Sequence, residues 1–356
     1  MILGVFVVVY VGMLLGGLPR LRLDRTGIAL LGAIALLATG AISPDEAARA
    51  VDLPTLALLF GLMVISAQLR LGGFYTWVTQ RLTSRDTSPA RLLGAVVLGA
   101  GALSAVFSND IICLAMTPVL IDVCQRRRLD PTPFLLALAA AANAGSAATL
   151  IGNPQNMLVG QRAALSFAGY LVVAGPIALA SLAVIWAVLT WQHRGRWARD
   201  EPPRPDVAIA ALPRFDRWQT TKGLAVAAVL MVLFLAGTLP REIVALGGAG
   251  ALLCSRRLHS RDMLGLVDWQ LLVLFIGLFV VNHALQMTAY PDAVVAALAE
   301  RGVNVASAGW LFALTVALSN AISNVPAVML LLPLAQGEPA AVLLAVASTL
   351  AGNLLL

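Results

Sequence analysis

Apolar stretches long enough to cross a bilayer recur from one end of this chain to the other, and they fix what it can fold into. They fall near 2–18, 27–42, 54–70, 133–160, 169–192, 222–238, 242–254 and 269–287, with a last one at 340–356. A spanning helix needs roughly 20 mostly apolar residues. Only helices and closed barrels satisfy every backbone polar group inside lipid. Composition agrees: 60% of the residues are hydrophobic and 12% charged, where a soluble domain carries about 25% charged residues. The fold class expected is an all-α polytopic membrane protein. The stretch 2–18 has neither a basic leader nor a small-residue cleavage site before it runs into further spans, so it reads as a retained helix and not a signal peptide.

Basic residues orient these spans. Arg20, Arg22, Arg25, Arg70, Arg81, Arg85, Arg91, Arg126, Arg127 and Arg128 fall on one side, with Arg194, Arg196, Arg199, Arg204, Arg214, Arg217, Lys222, Arg256, Arg257 and Arg261. Only Arg49, Arg162, Arg241 and Arg301 fall on the other. Positively charged loops stay in the cytoplasm. The expectation is therefore a multi-pass protein of the cytoplasmic (inner) membrane with its N-terminus outside. The asymmetry holds only if 91–124 enters and leaves from the same side, as a re-entrant hairpin. The net charge of +6 then reports orientation, and no nucleic-acid partner is expected.

The chain also repeats itself. RTGIALLGAIALL at 25–37 matches REIVALGGAGALL at 241–253 in eight of thirteen positions, at an offset of 216. At that offset Asp52 falls on Asp268 and Gly61 on Gly277. LSAVFSNDIICLAMTP at 103–118 then falls on LSNAISNVPAVMLLLP at 318–333, at an offset of 215. An odd number of crossings separates the copies, so the second is inverted. Inverted repeats around a midplane site are a common plan of secondary transporters. The expected organisation is a first helix at 1–24 and a first repeat at 25–192, with hairpin 91–124 and broken helix 133–160. A cytoplasmic linker at 193–221 contains Pro202, Pro203, Pro205 and Pro213, and a connecting helix follows at 222–240. The second repeat occupies 241–356, with hairpin 303–335.

Polar residues interrupt the apolar stretches at matched places. Ser108, Asn109 and Asp110, with Ser104 one turn earlier, answer Ser323, Asn324 and Val325, with Ser319 one turn earlier. A hairpin tip at Ser-Asn frees backbone groups, and these are tolerated at membrane depth only where they line a cavity or are buried in protein. Half-helix N-termini favour anions, while freed carbonyls favour cations. Ser hydroxyls and Asn carbonyls add neutral oxygen ligands suited to sodium. The alternative use of such residues is helix–helix packing, but recurrence at equivalent positions favours a site. A second interruption runs from Asn143 through Gly145, Ser146, Thr149, Gly152 and Asn153 to Asn156. Its Gly and Pro content marks a broken helix that would face the first tip. Asp110 is the only acid deep in an apolar stretch, a candidate for proton or sodium coupling or for capping the hairpin tip. Cys113, Cys124 and Cys254, and His193, His259 and His283, have no metal-ligand spacing. A membrane-embedded enzyme would need acids, His or Cys clustered near one face, so no enzyme is expected.

These motifs, SNDIICLAMTP, GNPQN and SNVPAVMLLLP in that order, resemble the ion transporter superfamily. It groups divalent anion:sodium symporters, citrate transporters, arsenite permeases and sodium/proton antiporters. The resemblance covers nearly the whole chain. It implies two inverted repeats, each with a re-entrant helical hairpin and a broken helix. It also implies one sodium at each tip (at Ser104, Ser108 and Asn109, and at Ser319, Ser323 and Asn324), substrate between the tips, and a homodimer. The third tip position departs from the symporters' threonine, being Asp110 in one tip and Val325 in the other. The Asn109–Asp110 pair resembles the arsenite-permease and antiporter side. The chain stops at a segment resembling the opening of the second broken-helix loop, so the resemblance implies a C-terminal truncation that leaves the second ion site incomplete. The function expected is secondary transport of a small anion or oxyanion, with sodium or protons as coupling ion and no other cofactor. The alternative is arsenite efflux or sodium/proton antiport. No Arg or Lys stands at either tip, so amides, hydroxyls and bound cations would hold the anion.

Overall fold

A computed structural model describes residues 1–17, 22–83, 87–198 and 214–354. The linker prolines Pro202, Pro203, Pro205 and Pro213, and Arg20, Arg85, Arg199 and Arg204, lie outside the described residues. The described chain is helical throughout. It opens with α1 (Ile2–Leu15), α2 (Arg25–Ala38), α3 (Pro44–Ala50), α4 (Leu53–Leu71), α5 (Phe74–Thr83) and α6 (Pro89–Val106). It continues through α7 (Asn109–Arg126), α8 (Thr132–Ser146), α9 (Pro154–Arg162), α10 (Phe167–Gln192), α11 (Arg217–Ala236) and α12 (Arg241–Leu253). The remainder is α13 (Ser260–Leu264), α14 (Trp269–Gln286), α15 (Tyr290–Glu300), α16 (Ala308–Ile322), α17 (Asn324–Leu331) and α18 (Gly337–Ala351). Among the described residues α4, α6, α10, α11 and α14 are long and apolar enough to cross a membrane.

Local chemistry sets many of the boundaries. Asp24, Ser166 and Asp216 accept backbone N–H bonds at the starts of α2, α10 and α11. Asp52 and Asp268, equivalent in the repeat, do the same at α4 and α14, accepting from Thr55 and Leu271 N–H at 2.9 Å. Such caps satisfy otherwise orphaned donors. Short α3 has a full capping box, in which Ser43 accepts from Glu46 N–H and the Glu46 carboxylate accepts from Ser43 N–H. Those hydrogen bonds hold the Glu46 carboxyl below its ordinary range. Gly16 and Gly237, both left-handed, end α1 and α11.

Several elements differ from the sequence expectation. Helices α3, α5, α13 and α15 occupy what reads as connecting segments, because each is too short or too polar to register as a span. Helix α6 has 18 residues and is itself of spanning length. Length alone therefore does not separate a crossing from a hairpin arm at this position.

The chain forms two compact units. The first comprises 1–59, 161–164 and 268–355, and thus α1, α2, α3 and α14 through α18. The second comprises 60–160 and 165–267, and thus most of α4, α5 through α8, most of α9, and α10 through α13. These units cut across the sequence repeats: α2, which opens the first repeat, sits with the body of the second, and α12, which opens the second, sits with the body of the first. In the first unit α2 packs on α14, where a Cβ on Gly277 would lie 2.7 Å from the Ala29 carbonyl carbon. In the second, a Cβ on Gly61 would lie 2.7 Å from the Ala245 carbonyl carbon. Ala29 and Ala245 are themselves equivalent at the 216 offset. Small residues permit this backbone approach, the usual basis of helix packing in lipid.

The first unit also buries a polar pair. Tyr10 OH donates to Asn282 Oδ1 at 2.8 Å, and Asn282 Nδ2 donates to the Leu278 carbonyl. In the second unit Gln68 Nε2 donates to Gln219 Oε1 at 2.7 Å, Ser66 bonds Tyr75, and a Cβ on Gly145 would lie 2.3 Å from the Gly101 carbonyl oxygen. The last contact presses α8 against α6 backbone to backbone.

Candidate functional site

In the second unit the chain between α6 and α7 is only Phe107 and Ser108, and Ser108 takes the N-cap position of α7. The neighbouring break between α8 and α9 runs from Ala147 to Asn153. Two bonds join the tip to the break. Asn109 N–H donates to the Gly152 carbonyl at 3.4 Å, and Thr149 Oγ1 donates to the Ala105 carbonyl at 2.5 Å. The structure thus brings together Ser104, Ser108, Asn109, Gly145, Ser146, Thr149, Gly152, Asn153 and Asn156, residues that the sequence separates by up to 52 positions.

The break holds itself closed. Ser146 Oγ donates to the Asn143 carbonyl at 2.7 Å, and Asn153 Nδ2 donates to Ser146 Oγ at 3.0 Å. Asn156 Nδ2 donates to the carbonyls of Thr149 and Ser146, its N–H donates to Asn153 Oδ1, and Tyr170 OH donates to the Ala147 carbonyl from α10. Gly152 permits the fold-back, since a Cβ there would lie 2.2 Å from the Ser146 carbonyl oxygen. The Asn153 and Asn156 carboxamide nitrogens therefore shape the loop. Tyr170 carries no sequence signal of this role, because the loop and α10 meet only in the fold.

Two polar atoms at the tip are left over. Ser104 Oγ and Asn109 Oδ1 are buried and have no hydrogen-bond partner. An unmatched buried hydroxyl or carbonyl costs about 1–3 kcal/mol. Ser104 lies in the last turn of α6, where partial negative charge gathers, and Asn109 opens α7; two uncharged oxygens of this kind are the ligand type a hard cation takes. The N-termini of α7 and α9 offer the opposite polarity. Asp110 stands in the first turn of α7 and is exposed. The sequence puts it deep in an apolar stretch, but in the structure it reaches the surface at the tip. Ser108, not Asp110, holds the N-cap position.

In the first unit the second tip is sharper. Ser323 alone separates α16 from α17, with φ 80° and ψ 157°. That region is essentially reserved for glycine and costs about 1–3 kcal/mol. Asn324 is half-buried and opens α17. Ser319, one turn earlier, is buried, and its Oγ has no hydrogen-bond partner. It is the repeat equivalent of Ser104. Helix α18 packs on α16 and buries Ser348 and Thr349, whose hydroxyls bond back to the Ala345 carbonyl.

The arrangement of apolar spanning helices, interrupted helices and buried uncharged oxygens at the interruptions defines a polytopic membrane transporter. Comparison with known proteins gives the family: the citrate transporter family matches residues 7–351, and the chain belongs to it. An uncharacterized transporter of Mycobacterium tuberculosis is 30% identical over 326 residues, covering 88% of this chain and 76% of that protein. A silicon efflux transporter of Oryza sativa is 37% identical over 166 residues, covering 47% of this chain and 34% of its own. A putative transporter, arsB, of Dictyostelium discoideum is 30% identical over 154 residues, 43% of this chain and 27% of its own.

Proposed function

We propose that the protein is a secondary active transporter that moves a small anion or oxyanion across the cytoplasmic membrane, coupled to sodium or protons. The observation that carries this reading is the pair of equivalent serines. Ser104 and Ser319, one turn before the two Ser-Asn tips, both bury a hydroxyl with no partner. An unpartnered buried hydroxyl at both equivalent places supports a role for these serines as ion ligands. Sodium as the transported coupling ion fits these oxygens without a formal charge, and Ser108, Asn109, Ser323 and Asn324 complete the two tips. The reciprocal contacts of Gly61 with Ala245 and Gly277 with Ala29 support an inverted repeat. In that repeat both hairpins re-enter from the side they left, and the N-terminus lies outside.

The N-terminus of α7 and the coupling ion at the first tip hold the substrate, since that tip has no basic residue. A second reading, efflux of arsenite or a related oxyacid, or sodium/proton antiport, is favoured by the Asn109–Asp110 pair at the first tip. Likeness to a silicon efflux transporter and to arsB supports the efflux form. Uptake into proteoliposomes tests both readings, with carboxylates, sulfate, phosphate, silicate and arsenite run under imposed sodium or proton gradients. Gradient-driven accumulation of one anion supports the first reading. Proton-driven extrusion of arsenite or silicate supports the second. Flux without gradient coupling for every solute overturns both.

A further inference from the structure

Away from the tips, the second unit gathers arginines from two distant segments into one built patch. The end of α7 and its following turn carry Arg126, Arg127 and Arg128, and the chain leaving α10 carries Arg194 and Arg196. Leu129 and Ala198 form an antiparallel bridge, and Asp130 N–H donates to the Trp197 carbonyl at 2.9 Å. The Trp197 ring is wedged 5.9 Å from Phe134 and 6.0 Å from His193. Among the described residues both local acids are already engaged. Asp122 pairs with Arg126 Nε at 2.9 Å, and Asp130 Oδ1 accepts from Thr132 N–H and Oγ1 at the start of α8. Arg128, Arg194 and Arg196 are left exposed.

The depth of the patch follows from α10. Its 26 residues make a helix about 39 Å long, longer than the roughly 30 Å hydrocarbon core. Trp191, in its last turn, is 75% exposed, as a residue of the interfacial aromatic belt is. The arginines begin just beyond it, in the headgroup layer. Orientation by charge needs arginines only somewhere on a loop, and the helix dipole accounts for Arg126 alone. Neither calls for a strand-like bridge or an aromatic wedge that holds two segments side by side.

We propose that Arg128, Arg194 and Arg196, held together by the Leu129–Ala198 bridge, bind the phosphate of an anionic lipid headgroup. Guanidinium groups suit a phosphate because they donate paired N–H bonds. The test reconstitutes the full chain in nanodiscs of phosphatidylcholine, with and without phosphatidylglycerol. It reads melting temperature and the lipid retained on extraction by native mass spectrometry. Phosphatidylglycerol should raise the melting temperature and stay bound. Retention should fall about fivefold for each arginine removed in Arg128→Gln, Arg194→Gln and Arg196→Gln, and the corresponding Arg→Lys set should keep most of it. In wild type the effect should weaken as salt rises, a measurement that stands even if the glutamine variants fold poorly. Salt-independent stabilisation, wild-type retention in the glutamine set, or an equal effect from inorganic phosphate in phosphatidylcholine discs overturns the proposal.

Discussion

Replacing Ser104 by alanine separates an ion ligand from a packing residue through the sign of its effect. Ser104 is fully buried, and its Oγ has no partner. Without the ion, the substitution removes an unmatched hydroxyl, which relieves about 1–3 kcal/mol of desolvation cost, less the packing lost with one oxygen. The ion-free variant should therefore melt at or above the wild-type temperature. With sodium at 100 times the dissociation constant, binding stabilises the wild type by about 2.7 kcal/mol. A variant that binds tenfold more weakly keeps only about 1.4 kcal/mol of this. Melting temperature plotted against sodium, with choline as the control, should thus give curves that start together or inverted and diverge as sodium rises. Ser319→Ala should behave in the same way. Packing glue predicts a different pattern: a loss averaging about 0.6 kcal/mol, equal in both salts. Parallel curves displaced downward by the same amount in sodium and choline would refute the ligand assignment.

Four further substitutions test the surrounding structure. Gly145→Ala sets a Cβ 2.3 Å from the Gly101 carbonyl oxygen, a backbone atom that cannot turn away. Its cost should reach or exceed the upper end of the ~1–3 kcal/mol typical of overpacking, and wild-type yield and melting in detergent would contradict the α6–α8 contact. Arg162→Ala strips the ion partner from Asp52, whose side chain is 9% exposed, and the cation from the face of Phe279. Because Arg162 is half exposed, the loss should be about 1–2 kcal/mol, below that of a fully buried pair, and adding Asp52→Asn should recover part of it. Glu46, held below its ordinary range by Ser43, contributes stability above the unfolded carboxylate value that disappears as pH falls through the lowered one. Glu46→Gln should flatten that limb of a melting-versus-pH curve, and an unchanged limb would assign it elsewhere. Asp110→Asn should abolish gradient-driven transport while leaving exchange partly intact, and unchanged pH and sodium dependence would remove Asp110 from coupling.

The sequence by itself determined the membrane class, the long apolar helices and the places where they break. Those features are local: apolar length decides α10 and α14, Ser-Asn decides the tips at Ser108 and Ser323, and Gly with Pro decides the interruption before α9. The matched serines were also legible, because a repeat offset needs no coordinates. Short helices such as α5 and α15 were not, since too few residues carry their pattern. Tertiary structure decided which oxygens are free. Asn153 and Asn156 look as ligand-like in the sequence as Asn109 does. Folding turns their amide nitrogens onto carbonyls of the break, while Asn109 Oδ1 and Ser104 Oγ are left over. It also brought Asp110 to the surface and exchanged α2 and α12 between the two units. Hydrogen-bond satisfaction and backbone approach are properties of neighbours across the chain, and the order of residues along it does not contain them.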